Sequence, residues 1–229
     1  MEGEPQRGAP MTTGSTGARG PYAKTAMVRQ QIVAAATEVF SEFGYRATTM
    51  KEVAARAGIS QRGLAHHFAG KAELLGAVIE ARDEASSRLM APYGEGLESI
   101  LSMFAVVSDN IRRPGLVELY SVLTAEAASA DHPAHDHYRK RYTGLRQYLS
   151  LAFESLREQG ELNSAMGSDA LAIGVIAVID GLQLQWLYDK RTVDVEQTLH
   201  AFLTTIIPRL PALSDIRRNR RSSPTPPAV

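Results

Sequence analysis

The sequence predicts an all-α fold of about nine helices. Between roughly residue 23 and residue 210, apolar residues recur at three- and four-residue spacing, and Gly or Pro breaks separate the runs. No run alternates apolar and polar residues as a strand would, and neither an internal repeat nor a heptad array is present. The 229 residues, 44% hydrophobic and 22% charged, suffice for one sizeable core or two joined ones.

The elements follow in order. Residues 1–22 are rich in Gly, Pro, Thr and Ser and read as a disordered arm. Ile32, Ala35, Ala36, Val39, Phe40 and Phe43 then form one apolar helical face, which Gly44 ends. Thr49-Met50-Lys51-Glu52 fits a capping box, and the short helix it opens runs to Ala57. Gly58 allows a tight turn, and Ser60 caps a further helix reaching His67. A longer helix runs from Lys71 to about Met90, with a break at Ala91-Pro92-Tyr93-Gly94. Beyond it, Gly, Pro and Asp signals delimit helices over Leu97–Arg112, Gly115–Ala130, Pro133–Gln159, Asp169–Tyr188 and Val195–Pro208. From residue 211 the chain reads as a disordered tail carrying Arg217, Arg218, Arg220, Arg221 and then Ser-Ser-Pro-Thr-Pro-Pro.

Composition excludes some functions. Formal net charge is zero, but Arg19 to Lys71 holds eight basic residues against three acids, the local excess that phosphate contact needs and that solvated helix faces also carry. With no cysteine, disulfides, thiolate zinc sites and cysteine nucleophiles are ruled out. No signal peptide is visible, and the most apolar stretch, Ala170–Ile179, is too short to span a bilayer, so a soluble cytoplasmic chain is expected, with no membrane partner.

The segment from Met50 meets the demands of a helix-turn-helix. Val53 and Ala57 supply the inner face, Ala54 the close crossing, Gly58 the turn, Ile59 its anchor and Leu64 the buried side of the second helix, while Lys51, Glu52, Arg56, Gln61 and Arg62 point outward. Ala47 to Ile79 resembles the DNA-binding domain of the TetR family. The resemblance rests on Phe43-Gly44-Tyr45, the Thr-Thr helix start, the Ala-Gly-Ile-Ser turn, Leu64, His67-Phe68, and Lys71 with Glu73-Leu74-Leu75; it covers Ala23 to about Glu80. It implies a helix-turn-helix domain over residues 23–70 joined to a ligand-binding and dimerisation bundle over residues 71–210. The implied function is a transcriptional regulator, more readily a repressor than an activator. In that reading Gln61 faces adenine and Arg62 guanine in the major groove, Thr49, Lys51, His67 and Lys71 meet phosphates, and His66 reaches the backbone or a base edge. Two positions depart from the family's pattern: Ala65 stands where an aromatic is usual and Gly63 where threonine is common. Arg62 and the arm's Arg19 and Lys24 are available to compensate.

The resemblance further implies a homodimer through the last two helices, with Ile173, Ile176, Leu184, Leu187, Leu199, Phe202 and Ile206 available for the seam, reading a near-palindromic double-stranded operator. A small-molecule effector would sit between the later helices, where Met103, Tyr120, Glu126, Tyr142, Arg146, Gln183 and Trp186 offer apolar walls with polar groups, although such residues also build plain cores. Asp180 is a further polar group on the same helices. The helix after Lys71 would carry the change between bound and released forms. No catalytic motif, resident metal or cofactor is expected. Two alternatives stay open: control by a protein partner, or a metal-dependent helical enzyme built on Asp131, His132, His135, Asp136 and His137, which otherwise read as a capped helix start.

Overall fold

Helix α1 (Pro21–Ala47) follows its apolar face as far as Gly44, whose φ of 75° breaks the helical path and turns the chain. The computed structural model describes residues 21–90 and 96–222; Arg19, the arm before Pro21 and the break at 91–94 lie outside the described residues. After α1 come α2 (Met50–Arg56), α3 (Gln61–His67), α4 (Lys71–Ser87), α5 (Leu97–Ile111), α6 (Pro114–Glu126), α7 (His135–Glu158), α8 (Ser168–Tyr188), α9 (Val195–Ile206) and α10 (Leu213–Ser222), with no strand among the described residues. The all-α expectation holds, with one helix more than expected.

Two clusters of buried side chains hold these helices together. One joins α5, α7, α8, α9 and α10, centred on Phe104, Tyr148, Phe153, Val175, Leu199 and Leu203. The other buries Ile32, Phe40, Val53, Leu64, Phe68, Leu74 and Ile79 from α1–α4. This second cluster does not stop at residue 70, because Leu119, Tyr120 and Leu123 of α6 and Tyr138 of α7 belong to it. Helix α1 packs along α6, and the Ser41 hydroxyl donates to the Gly115 carbonyl at 2.8 Å.

The C-terminal segment differs from expectation. Residues 213–222 form a helix, not a disordered tail, because Leu213 and Ile216 are both buried. Arg217 bonds Glu196 of α9 at 2.7 Å, and His200 Nε2 lies 2.9 Å from the Pro211 carbonyl. The polar arginines hid the two apolar anchors from a reading by composition.

Helix α8 also corrects the sequence reading. Its 21 residues are long and apolar enough, by length and composition, to cross a membrane. Here it packs against α6, α7 and α9. Of the side chains expected at a dimer seam, Ile176, Leu199 and Ile206 are buried within the chain's own core, while Leu187 and Phe202 are half-buried. Ile173 and Leu184 are about half exposed and share with Ala177 one face of α8. Ile176 sits a turn-phase away from that face, which is why it turns inward.

Replacing Ile216 with Ala should lower unfolding stability by about 2 kcal/mol in chemical denaturation, the usual cost of truncating a buried aliphatic side chain. An unchanged midpoint would mean that α10 is not docked.

Candidate functional site

The helix-turn-helix is built by local chemistry. The Thr49 hydroxyl accepts from the Glu52 amide at 3.3 Å, and the Thr49 amide donates to the Glu52 carboxylate at 2.7 Å, completing the capping box. That contact holds the Glu52 carboxyl below its ordinary range. Gly58, at φ 67°, makes the turn, and the Ser60 hydroxyl caps α3 by accepting from Gly63 at 3.0 Å. With Leu64 fully buried, Gln61, Arg62 and His66 are left exposed along α3, and Lys51 is exposed on α2.

Several basic side chains of this segment are engaged within the chain. Arg56 bridges Glu38 and Glu42 of α1 at 3.1 and 2.7 Å. Arg29 donates to the His67 carbonyl at 2.9 Å and lies over the Phe68 ring. Lys71, expected on phosphate, instead donates to the carbonyls of Tyr45, Arg46 and Thr48 at 2.8, 3.0 and 2.8 Å. Its ammonium thereby clamps the start of α4 to the carbonyls that end α1. Thr49 is likewise committed: its amide and hydroxyl both donate to Glu52.

A cavity of about 690 Å³ opens between α4, α5, α6, α7 and α8. That lies within the range of about 300–1,000 Å³ usual for small-molecule sites. Met103, Val107, Leu149, Ile176 and Ile179 give it apolar walls, and Arg82, Asp83, Tyr120, His137, Tyr138, Arg141 and Asp180 are among its polar lining. Arg141 bonds Asp83 at 2.6 Å, and His137 Nε2 stands 2.9 Å from the same carboxylate, out of line for a hydrogen bond. Burial opposes ionisation of Asp83, yet His137, Arg141 and Arg82 together hold its carboxyl below the usual range. Tyr142 donates to Asp180 at 2.8 Å; burial raises the Asp180 carboxyl and pushes Tyr142 up to about 12.

Of the seven residues expected around an effector, Met103, Tyr120, Tyr142 and Gln183 line the cavity. The other three do not. Glu126 turns toward α1, where its Oε1 lies 3.5 Å from the place a side chain on Gly44 would take. Arg146 bonds Thr143 on the exposed side of α7. Trp186 is packed into the α8–α9 core, with Lys190 over its ring. Helical phase explains the first two, since Glu126 follows Ala125, and Arg146 follows Leu145, by about 100°. Sequence reasoning missed Arg82 and Asp83, though Arg82 falls three, four and seven residues after Ile79, Val78 and Leu75, a charge on a buried stripe.

The histidines do not converge on one point. His135 Nδ1 lies 2.8 Å from the Ala127 carbonyl, His137 meets Asp83, and His132 Nδ1 accepts from the Ala134 amide at 3.2 Å. Among the described residues no group of three His, Cys, Asp or Glu is placed to hold a metal. His132 is buried, edge-on to the Tyr45 ring, with its Nε2 3.8 Å from Glu126 Oε2. Because Nδ1 is an acceptor there, the neutral ring carries its proton on Nε2.

An exposed recognition helix mounted on a larger helical bundle with an internal cavity defines a DNA-binding regulator with room for a small molecule. Residues 32–78 match the family model described as bacterial regulatory proteins, tetR family, and residues 95–210 match the BetI-type transcriptional repressor C-terminal model. The chain belongs to the TetR family of transcriptional regulators. It is 24% identical over 182 residues to the HTH-type transcriptional regulator TtgR of Pseudomonas putida, covering 73% of this chain and 83% of that protein. In fold it is similar to the SmeT–triclosan complex, at TM-score 0.67 and 18% identity over 81% of this chain and 98% of the other. It is similar also to a transcriptional regulator of Saccharomonospora viridis in complex with choline, at TM-score 0.65 and 21% identity over 80% and 98% of the two chains.

Burial lowers the His132 pKa below its ordinary 6.5, against the attraction of Glu126. On acidification the unfolded chain therefore takes up a proton before the folded one does, and stability falls as pH drops below about 6.5. Replacing His132 with Asn, which keeps an acceptor for the Ala134 amide and cannot titrate, should reduce the loss of thermal stability between about pH 7 and pH 5. Equal losses in both proteins would contradict the buried neutral imidazole.

Proposed function

We propose that this regulator is a repressor that binds a near-palindromic operator as a homodimer and is released by a small molecule held in the cavity. The observation that carries the reading is the shared core: Tyr120 and Tyr138 line the cavity and pack in the same cluster as the helix-turn-helix. A ligand that alters their packing acts directly on the DNA-reading half. In this reading residues 23–70 read DNA and residues 71–210 bind effector and partner subunit.

On DNA, α3 enters the major groove with Gln61 toward adenine and Arg62 toward guanine O6 and N7, while Lys51, His66 and His67 lie along the phosphates. The partner subunit covers the Ile173–Ala177–Leu184 face of α8 together with the exposed side of α9, so that two copies of α3 meet successive major grooves about 34–36 Å apart. The relatives are regulators and not enzymes, and the chain is assigned no reaction; it works in the cytoplasm, where operator DNA is. Two proteins of similar fold were described in complex with triclosan and with choline, which supports the cavity as an effector site here. Control by a protein partner would leave the cavity without a role.

Selection of bound sequences from a random DNA pool should enrich a two-fold symmetric site. With Arg62→Ala the preference should relax at one symmetric base pair, at a cost of about 1–3 kcal/mol per half-site. Enrichment of no sequence at moderate salt would overturn specific DNA binding.

A further inference from the structure

The charged lining of the cavity is not balanced. Asp83 is matched by Arg141 and His137, and Asp180 by the Tyr142 hydroxyl. Arg82 is different. Its side chain is only 9% exposed, and the Asp83 Oδ1 beside it is 3.6 Å away and already bonded to Arg141. Among the described residues its Nε and Nη1 have no hydrogen-bond partner, and neither do the Tyr120 and Tyr138 hydroxyls, although Thr124 lies near Tyr138. The guanidinium stacks on the Tyr120 ring at 4.0 Å. Unpaired buried donors are costly, and an unpaired buried charge more so, unless a partner arrives.

We propose that the effector is an amphipathic organic anion whose carboxylate is received by Arg82 beside the Tyr120 and Tyr138 hydroxyls, with its apolar tail along Met103, Val107 and Ile176. This rests on the reading of the cavity as the effector site and names the chemistry that site takes. A guanidinium presents a planar fork of donors that fits a carboxylate with two parallel bonds, and the two phenols add single donors. The unmatched polar groups come from α4, α6 and α7, while Met103, Val107 and Ile176 come from α5 and α8, so the cavity offers a head group and a tail walls from different helices. Burial pulls the Arg82 guanidinium below its ordinary pKa, a cost that an anion beside it would relieve, and keeps both phenols protonated as donors. A cationic ligand is less well served: Asp180 already accepts from Tyr142, and Asp83 already faces Arg141 and His137.

The test is titration calorimetry of the full chain with decanoate, decanol and decyltrimethylammonium, below micelle-forming concentrations, on the wild type and Arg82→Gln. Decanoate should bind once per protomer, and Arg82→Gln should weaken it about 10- to 100-fold, the scale of hydrogen bonds to a charge. Decanol should bind more weakly and be indifferent to the substitution. Circular dichroism checks that the variant folds; should it not, Tyr120→Phe removes only an unpartnered hydroxyl and should weaken decanoate about 3- to 10-fold. If decanoate binds both proteins equally, or only decanol or the cation binds, the anion proposal fails while the cavity remains an effector site. If none of the three binds, both readings fail together.

Discussion

Helix α4 is held by charge near both of its ends, and the arrangement of the molecule depends on that. At its start the Lys71 ammonium gathers three carbonyls from the end of α1 and the turn after it. Eleven residues on, about 16 Å along the axis, Arg82 and Asp83 stand in the wall of the cavity. Between them Leu74, Leu75, Val78 and Ile79 are buried against the helix-turn-helix. A rigid element fixed this way cannot shift at one end without disturbing the other. Close-packed interiors transmit such a displacement rather than absorb it.

The same constraint shapes the surroundings. Tyr45 has Lys71 over its ring and His132 at its edge, so the turn that ends α1 is seated between the clamp and the first residues leading into α7. Glu126, at the end of α6, comes close to Gly44 in the same place. The DNA-reading helices therefore rest on α4 and on α6, both of which also border the cavity. Coupling of this kind needs a ligand that interacts differently with two arrangements, and a guanidinium in the wall whose Nε and Nη1 have no hydrogen-bond partner provides such a difference.

Much of the fold was legible in the sequence because its signals are local. Gly44, the Thr49–Glu52 box, Gly58 and Ser60 each act within a few residues, and the structure places each as the spacing implied. What the sequence concealed depends on long-range packing. Nothing in the sequence tells that three carbonyls some 25 residues earlier converge on Lys71. Glu126, Arg146 and Trp186 sit on helices that wall the cavity but do not line it, and phase about a helix axis depends on which neighbours pack there. Arg82 was the reverse, a readable anomaly on an apolar stripe that went unread. The short apolar anchors Leu213 and Ile216 were masked by the arginines beside them.

The central claim is that occupancy of the cavity changes the spacing of the recognition helices in a dimer. The chain has no cysteine, so Ala65→Cys places a single nitroxide on the exposed side of α3 in each subunit. Pulsed dipolar spectroscopy then reads the distance between the two copies. Without ligand, the account predicts a distribution compatible with recognition helices about 34–36 Å apart, the separation of successive major grooves. Saturating decanoate should shift it by a few ångströms, and Arg82→Gln should need about 10- to 100-fold more decanoate for the same shift. An unchanged distribution in the presence of bound ligand, or no dipolar coupling at all, would contradict it.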